Sequence, residues 1–235
     1  MKLLYRFLYL ASLFFSLNCF TMQSLYGQSH GIGTWNIVNL KYQLGGKWSS
    51  FGEAQLRSLQ FYQQFHYYEY KAGLSYIVNE KMILSLAAGS YQTYKEGGNF
   101  VTPKNNDEFR LWPQVQLLQS IGRFKIEQRY RAELRFTSNG YRNRFRYRLG
   151  VNYSFGRKEG NSQPYQLYLN NEVFFTDGEP FFERNRMAMG FQYRIATGTS
   201  LLLGYLHQFD YHINDETGRD FIQLGYYLDI PSRKK

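Results

Sequence analysis

The stretch FKIEQRYRAELRF, Phe124 to Phe136, carries the strongest pattern in the chain. Phe124, Ile126, Tyr130, Ala132, Leu134 and Phe136 fall on alternate positions, with Lys125, Glu127, Arg129, Arg131, Glu133 and Arg135 between them. A period of two puts these sets on opposite faces of one strand, whereas a helical period of about 3.6 would scatter the arginines around the axis. The next stretch repeats the design: Phe145, Tyr147, Leu149, Val151, Tyr153 and Phe155 alternate with Arg142, Arg144, Arg146, Arg148, Asn152 and Ser154.

Outward from this pair the same alternation recurs. Tyr68, Tyr70, Ala72, Leu74, Tyr76 and Val78 oppose Glu69, Lys71, Gly73 and Ser75; Met82, Leu84, Leu86 and Ala88 oppose Ser85, Ala87 and Gly89. Later, Leu167, Leu169, Val173 and Phe175 oppose Gln166, Asn170 and Glu172, and Met187, Met189, Phe191 and Tyr193 oppose Arg186, Gly190, Gln192 and Arg194. Ile222, Leu224, Tyr226, Leu228 and Ile230 form the last segment. Many segments run to about 10 to 14 residues, beyond the globular mode of about five or six, and they reach the roughly 9 to 11 of a tilted membrane strand. That length favours a membrane barrel over a lipocalin-like barrel or a sandwich.

Composition agrees. The 235 residues are 19% aromatic, with 22 Tyr and 20 Phe, and 20% charged. Mean hydropathy is −0.51. Such a chain is too aromatic for disorder and too polar for a bundle of membrane helices. A strand with one apolar face to lipid and one polar face to a lumen satisfies both. The net charge of +10 would ordinarily suggest nucleic acid. Here the basic residues alternate with apolar ones, as a lumen wall requires, so no nucleic-acid partner is expected. Trp48, Tyr76, Tyr153 and Tyr193 read as an interfacial girdle rather than base-stacking platforms.

Residues 1–27 read as a signal peptide: Lys2 and Arg6 precede the apolar run Phe7 to Phe15, which is short of the roughly 20 residues of a helical span. The single cysteine, Cys19, lies in this leader, so the remaining chain has no disulfide. Lipid attachment at Cys19 is disfavoured by Asn18 before it. Residues 28–235 are expected to form an all-β, transmembrane, antiparallel up-and-down barrel of 10 to 12 strands. Tight turns at Gly45–Gly46, Asn79–Glu80, 120–123 and 196–199 alternate with longer loops at 96–106, 176–183 and 212–219, while 156–163 is longer than a tight turn. About eleven segments emerge, against the even count of single-chain bacterial barrels. Residues 32–44 are therefore expected to be misassigned, through a register slip or a segment threaded through the lumen.

Five motifs carry a family likeness: Arg110 to Gln114 (RLWPQ), Glu127 to Phe136 (EQRYRAELRF), Tyr141 to Leu149 (YRNRFRYRL), Asn171 to Phe174 (NEVF), and Asn185 with Arg186. As an ordered set they resemble a family of uncharacterised bacterial outer-membrane β-barrel proteins known as a domain of unknown function, over roughly residues 31–230. The resemblance implies a signal peptide and an outer-membrane barrel. It brings no catalytic residues. The chain departs from common barrel-assembly signals by ending in Ile230 and a basic tail, without a terminal aromatic residue.

Pairing the arginine-rich strands through Thr137 to Gly140 sets Glu133 opposite Arg144, Arg131 opposite Arg146 and Arg135 opposite Arg142. Pairing through 120–123 sets Arg110 opposite Glu133 and Glu108 opposite Arg135. Glu172 falls near Arg146 or Arg148 on one side and Arg186 on the other. The expected lumen charge network is thus Arg110, Arg131, Glu133, Arg135, Arg142, Arg144, Arg146, Glu172 and Arg186.

Three functions are compatible with this interior. The first is a structural or interaction protein whose lumen is filled by salt bridges, since the planar arginine fork serves two carboxylates. The second is a narrow anion-preferring channel, since rings of Arg select anions, with small anions as lumen partners. The third is an outer-membrane lipid hydrolase or deacylase. His30, His66, His207 and His212 are its only histidines; His66 and His212 sit at expected loops, His207 on the lipid face, and Ser58 near His66 lacks a defined geometry. No catalytic residue and no enzyme activity are therefore assigned. Gly97–Gly98 lacks a strand-to-helix context, metal-ligand spacing is absent, and neither metal nor cofactor is expected. The expected location is the outer membrane, with its lipid, lipopolysaccharide and the barrel assembly machinery as partners.

Overall fold

The computed structural model describes residues 31–157, 163–211 and 217–232. The expected leader with Cys19, His30 and His212 lies outside the described residues. Eleven strands follow in chain order: β1 (Gly33–Gly45), β2 (Trp48–Gln60), β3 (Gln63–Asn79), β4 (Met82–Lys95), β5 (Val101–Ile121), β6 (Phe124–Thr137), β7 (Gly140–Phe155), β8 (Tyr165–Thr176), β9 (Phe182–Ala196), β10 (Thr199–Asp210) and β11 (Thr217–Ile230). They close into one barrel in sequence order. Among the described residues no helix is long and apolar enough to cross a membrane.

The odd count, expected to be a misassignment of residues 32–44, is real. β1 pairs with β2 antiparallel and with β11 in parallel, from Gly33↔Phe221 to Tyr42↔Ile230. Residues 32–44 therefore need neither a register slip nor a thread through the lumen, and the wholly antiparallel expectation is corrected to a mixed sheet. An even count follows only when every neighbour is antiparallel; one parallel seam closes an odd ring. Parallel pairing is slightly weaker per residue. Behind the seam the lumen becomes apolar: Trp35 and Phe221 meet edge to face at 5.6 Å, packed with Ile37, Ala188 and Leu206.

Turns set the register. Gly198 sits in the β9–β10 turn at φ +77, where a Cβ would meet the Asp229 carbonyl at 2.3 Å. Only glycine satisfies both demands. The tight β1–β2, β3–β4, β5–β6 and β9–β10 turns share one end with the end of β7 at Phe155 and the start of β8 at Tyr165. Loops 96–100 and 177–181, with the end of β10 at Asp210, lie at the other end, where β1 and β11 both begin.

The faces segregate as alternation predicts. Val38, Leu74, Leu86, Leu169, Met189 and Leu203 are exposed on the outside, while Arg57, Glu69, Arg110, Glu133, Arg144 and Glu172 are buried inside.

Candidate functional site: the arginine-lined lumen

The inward residues of neighbouring strands form continuous register rows. One runs Arg129 (β6), Arg148 (β7), Glu172 (β8), Arg186 (β9), Gln208 (β10). The adjacent row runs Gln114 (β5), Arg131, Arg146, Phe174, Arg184, Asp210. Like charges directly opposite repel. These rows are held by carboxylates that reach diagonally between them.

Glu133 is the centre of the network and is 1% exposed. It accepts from Arg144 Nη2 at 2.7 Å and Nε at 2.8 Å, and from Arg146 Nη1 at 2.6 Å. Arg131 Nη1 lies 3.4 Å away and Arg110 Nη1 3.9 Å away. Glu172 accepts from Arg129 Nη2 at 2.6 Å and from Arg146 Nη2 at 2.9 Å. Arg146 thereby bridges both carboxylates, as a planar fork can. At the long-loop end, Glu108 accepts from Arg110 Nε and Nη2, each at 2.8 Å, and from Arg135, whose Nη2 lies at 3.2 Å. Glu183 lies 3.1 Å from Arg144 Nη1 and 3.5 Å from Arg135 Nη1.

Aromatic rings fill the space between the guanidinium groups. Phe174 is 0% exposed. Arg146, Arg186, Arg144 and Arg184 stand 4.5, 4.9, 5.3 and 5.8 Å from its centroid. Arg57 lies 3.4 Å from the Trp35 centroid and Arg110 3.7 Å from that of Tyr91. Cation–π attraction strengthens in such desolvated surroundings. Tyr168 lies flat over glycines of β9 and β10: a Cβ at Gly204 would stand 2.1 Å from its hydroxyl. That hydroxyl donates to Gln223 at 3.0 Å.

Of the expected network, the β6–β7 pairings hold in register: Glu133↔Arg144, Arg131↔Arg146 and Arg135↔Arg142. Glu172 faces Arg148 and Arg186, also in register. The β5–β6 register differs by two residues, with Arg110↔Arg135 and Glu108↔Thr137, because the turn is the two-residue Gly122–Arg123 rather than 120–123. The side chains nevertheless lean so that Glu108 meets Arg135 and Glu133 approaches Arg110. Arg142 is exposed at the rim, outside the ion pairs among the described residues. Arg186 donates Nε to Gln208 at 2.8 Å instead of pairing with Glu172.

Several members were absent from the expected set. Arg57 pairs with Glu69 at 3.1 Å, and Lys71 bridges Glu53 and Glu69, each at 2.6 Å. Arg184 pairs with Asp210, and Arg148 with Glu127. Alternation on β2, β3 and β9 marks these residues as inward; their partners depend on the barrel's closure. Glu183 has a local cause, because it is the extra residue where the β8–β9 register shifts.

The histidines are dispersed. His66 is buried in β3, not in a loop, at the register shift between Arg57↔Tyr67 and Ser58↔Phe65, and it lines the lumen. Ser58 is engaged elsewhere, sharing a 2.6 Å hydrogen bond with Thr34 and donating to the Gln60 carbonyl at 2.7 Å. His207 faces outward as expected, its Nδ1 2.8 Å from Asp220, which also accepts from Tyr205 at 2.5 Å. Among the described residues no group of His, Cys, Asp and Glu could hold a metal ion.

Neither the curated proteins nor the solved structures yield a match to this chain. Residues 32–219 match the model of a family described as a protein of unknown function, DUF2490, and the chain belongs to that family.

Proposed function

We propose that the protein is an integral outer-membrane β-barrel with a structural or interaction role, its lumen filled by the Arg–Glu network. The observation that carries this reading is the inverted distribution of polarity. Exposed aliphatic residues form a band around the middle of the barrel. Tyr42, Trp48, Phe124, Tyr165 and Tyr193 ring the tight-turn end, and Phe61, Tyr62, Phe136, Tyr141 and Phe181 the long-loop end. In water this exterior would be a large aggregation-prone patch; in a bilayer it is a hydrocarbon belt with two aromatic girdles. The partners follow as outer-membrane lipid, lipopolysaccharide and the assembly machinery that inserts barrels.

A filled lumen is favoured by Phe174, Trp112 and Glu133, all essentially inaccessible although they point inward. Flotation with membranes and heat-modifiable gel mobility test the barrel; recovery as a soluble periplasmic protein overturns it. Planar-bilayer recording tests the lumen, and the expected trace is flat. Discrete current steps that change when Arg144 and Arg146 become Ala would establish the second reading, a narrow anion-preferring channel, which the excess of cationic side chains along the wall favours. Neither reading includes a catalytic step.

A further inference from the structure

The lumen encloses a cavity of about 620 Å³ whose wall presents twelve arginine and lysine side chains against six carboxylates. Glu133 and Asp210 are buried and do not belong to that wall. The imbalance is not spread evenly. On β2 and β3, Glu53, Arg57, Glu69 and Lys71 neutralise one another. On the row through β6 to β9, Arg129, Arg148 and Arg186 have a single carboxylate in register, Glu172.

Glu172 is flanked by Arg148 and Arg186 yet accepts from Arg129 and Arg146. Arg148 is drawn to Glu127 on the far side. Arg186 is left over. It is 8% exposed and lines the cavity, and among the described residues it forms no ion pair. Its hydrogen bond from Nε to Gln208 and its places beside Trp35 and Phe174 use one donor and the ring faces, leaving both terminal nitrogens of the fork without a partner among the described residues.

A guanidinium does not shed its proton under physiological conditions, and an uncompensated buried charge is heavily penalised. A remedy available inside this arginine-lined lumen is an anion. A fork with two parallel N–H donors matches the oxygens of phosphate and carboxylate. Clustered arginines favour the more highly charged of these, and the cavity falls within the range of about 300–1,000 Å³ usual for small-molecule sites.

We propose that the lumen is a binding site for a small multivalent oxyanion of the phosphate class, with Arg186 as the anchoring fork. This rests on and deepens the reading of the lumen as an Arg–Glu network: the anion supplies the countercharge that the network lacks at Arg186. The barrel itself is judged separately, by flotation and heat-modifiable mobility, so failure of one reading is distinguishable from failure of the other.

The test uses the full chain folded in detergent, titrated calorimetrically with inorganic phosphate at constant ionic strength against chloride. A short-chain phosphatidate in a parallel arm distinguishes a free anion from a lipid headgroup. Saturable binding is expected in at least one arm. It should weaken by about tenfold or more in Arg186→Gln, which loses the charge-assisted fork, and remain unchanged in Arg142→Gln, whose side chain lies exposed at the rim and outside the ion pairs among the described residues. Absence of saturable binding in both arms, or equal affinity in Arg186→Gln, overturns the proposal. If Arg186→Gln does not fold, Arg186→Lys keeps the charge without the fork; weaker binding in it supports the site, and undiminished binding refutes it.

Discussion

Glu133 illustrates why a buried charge can be held and yet not be dispensable. Two arginines donate to it within 2.8 Å and two more stand within 3.9 Å, so its neutralisation takes the ion pair from Arg131 and leaves Arg144, Arg146 and Arg110 crowded together with one remaining carboxylate each. Glu133→Gln is expected to destabilise the folded barrel by about 3–5 kcal/mol, measured by urea unfolding in lipid vesicles. Arg142→Gln should leave the unfolding midpoint where it is. At the long-loop end Asp177 accepts from the Asn143 side chain at 2.6 Å and from its backbone N–H at 3.1 Å, which hold its carboxyl below the ordinary value of 3.8. A lowered pKa stabilises the fold fully above the ordinary value, and that contribution is lost as pH falls through the lowered one. Limited proteolysis of loop 177–181 should therefore accelerate on acidification below this range, and Asp177→Asn should flatten the dependence. The inward position of each charged residue was legible in the alternation of β6 and β7. The choice among available partners was not: Glu172 faces Arg148 and Arg186 but bonds Arg129 and Arg146, because side chains lean across rows in a way that register alone does not describe.

Among the elements, β1 and β11 carry the departure from an ordinary barrel. Their parallel seam is backed by Trp35, which meets Phe221 edge to face, donates Nε1 to Gln55 at 2.8 Å and lies beneath Arg57. Trp35→Ala is expected to cost about 3–5 kcal/mol, read from the same urea unfolding, with loss of hydrogen-exchange protection beginning in β1. The β9–β10 pair depends on a different device. Gly204→Ala should destabilise because the added methyl meets the Tyr168 hydroxyl, and Tyr168→Phe in the same chain should recover part of the loss. Failure of that recovery would place the constraint in the nearby backbone, the Met189 carbonyl 2.9 Å from the same Cβ position. Strand positions followed from period two. The β5–β6 register did not, since a shift of turn length from four residues to two preserves both faces while moving every pairing by two.

For the molecule as a whole, an odd number of strands puts the first and last strand ends at opposite mouths: β1 begins beside the long loops and β11 ends beside the tight turns. If the proposed membrane reading holds and the long loops face outward, as in bacterial outer-membrane barrels, an epitope placed just before residue 31 should be labelled on intact cells and one after residue 232 only after permeabilisation. Labelling of both from one side would contradict the parallel closure. By itself the sequence determined the all-β class, which residues face inward and outward, and the charged character of the interior, because alternation in a strand maps directly onto its two faces. Only the tertiary structure decided how the ring closes, which carboxylate serves which arginine, and that Arg186 is left without one among the described residues. Those outcomes depend on contacts between residues distant in the chain and on the lean of long side chains across a curved wall, neither of which a local period encodes.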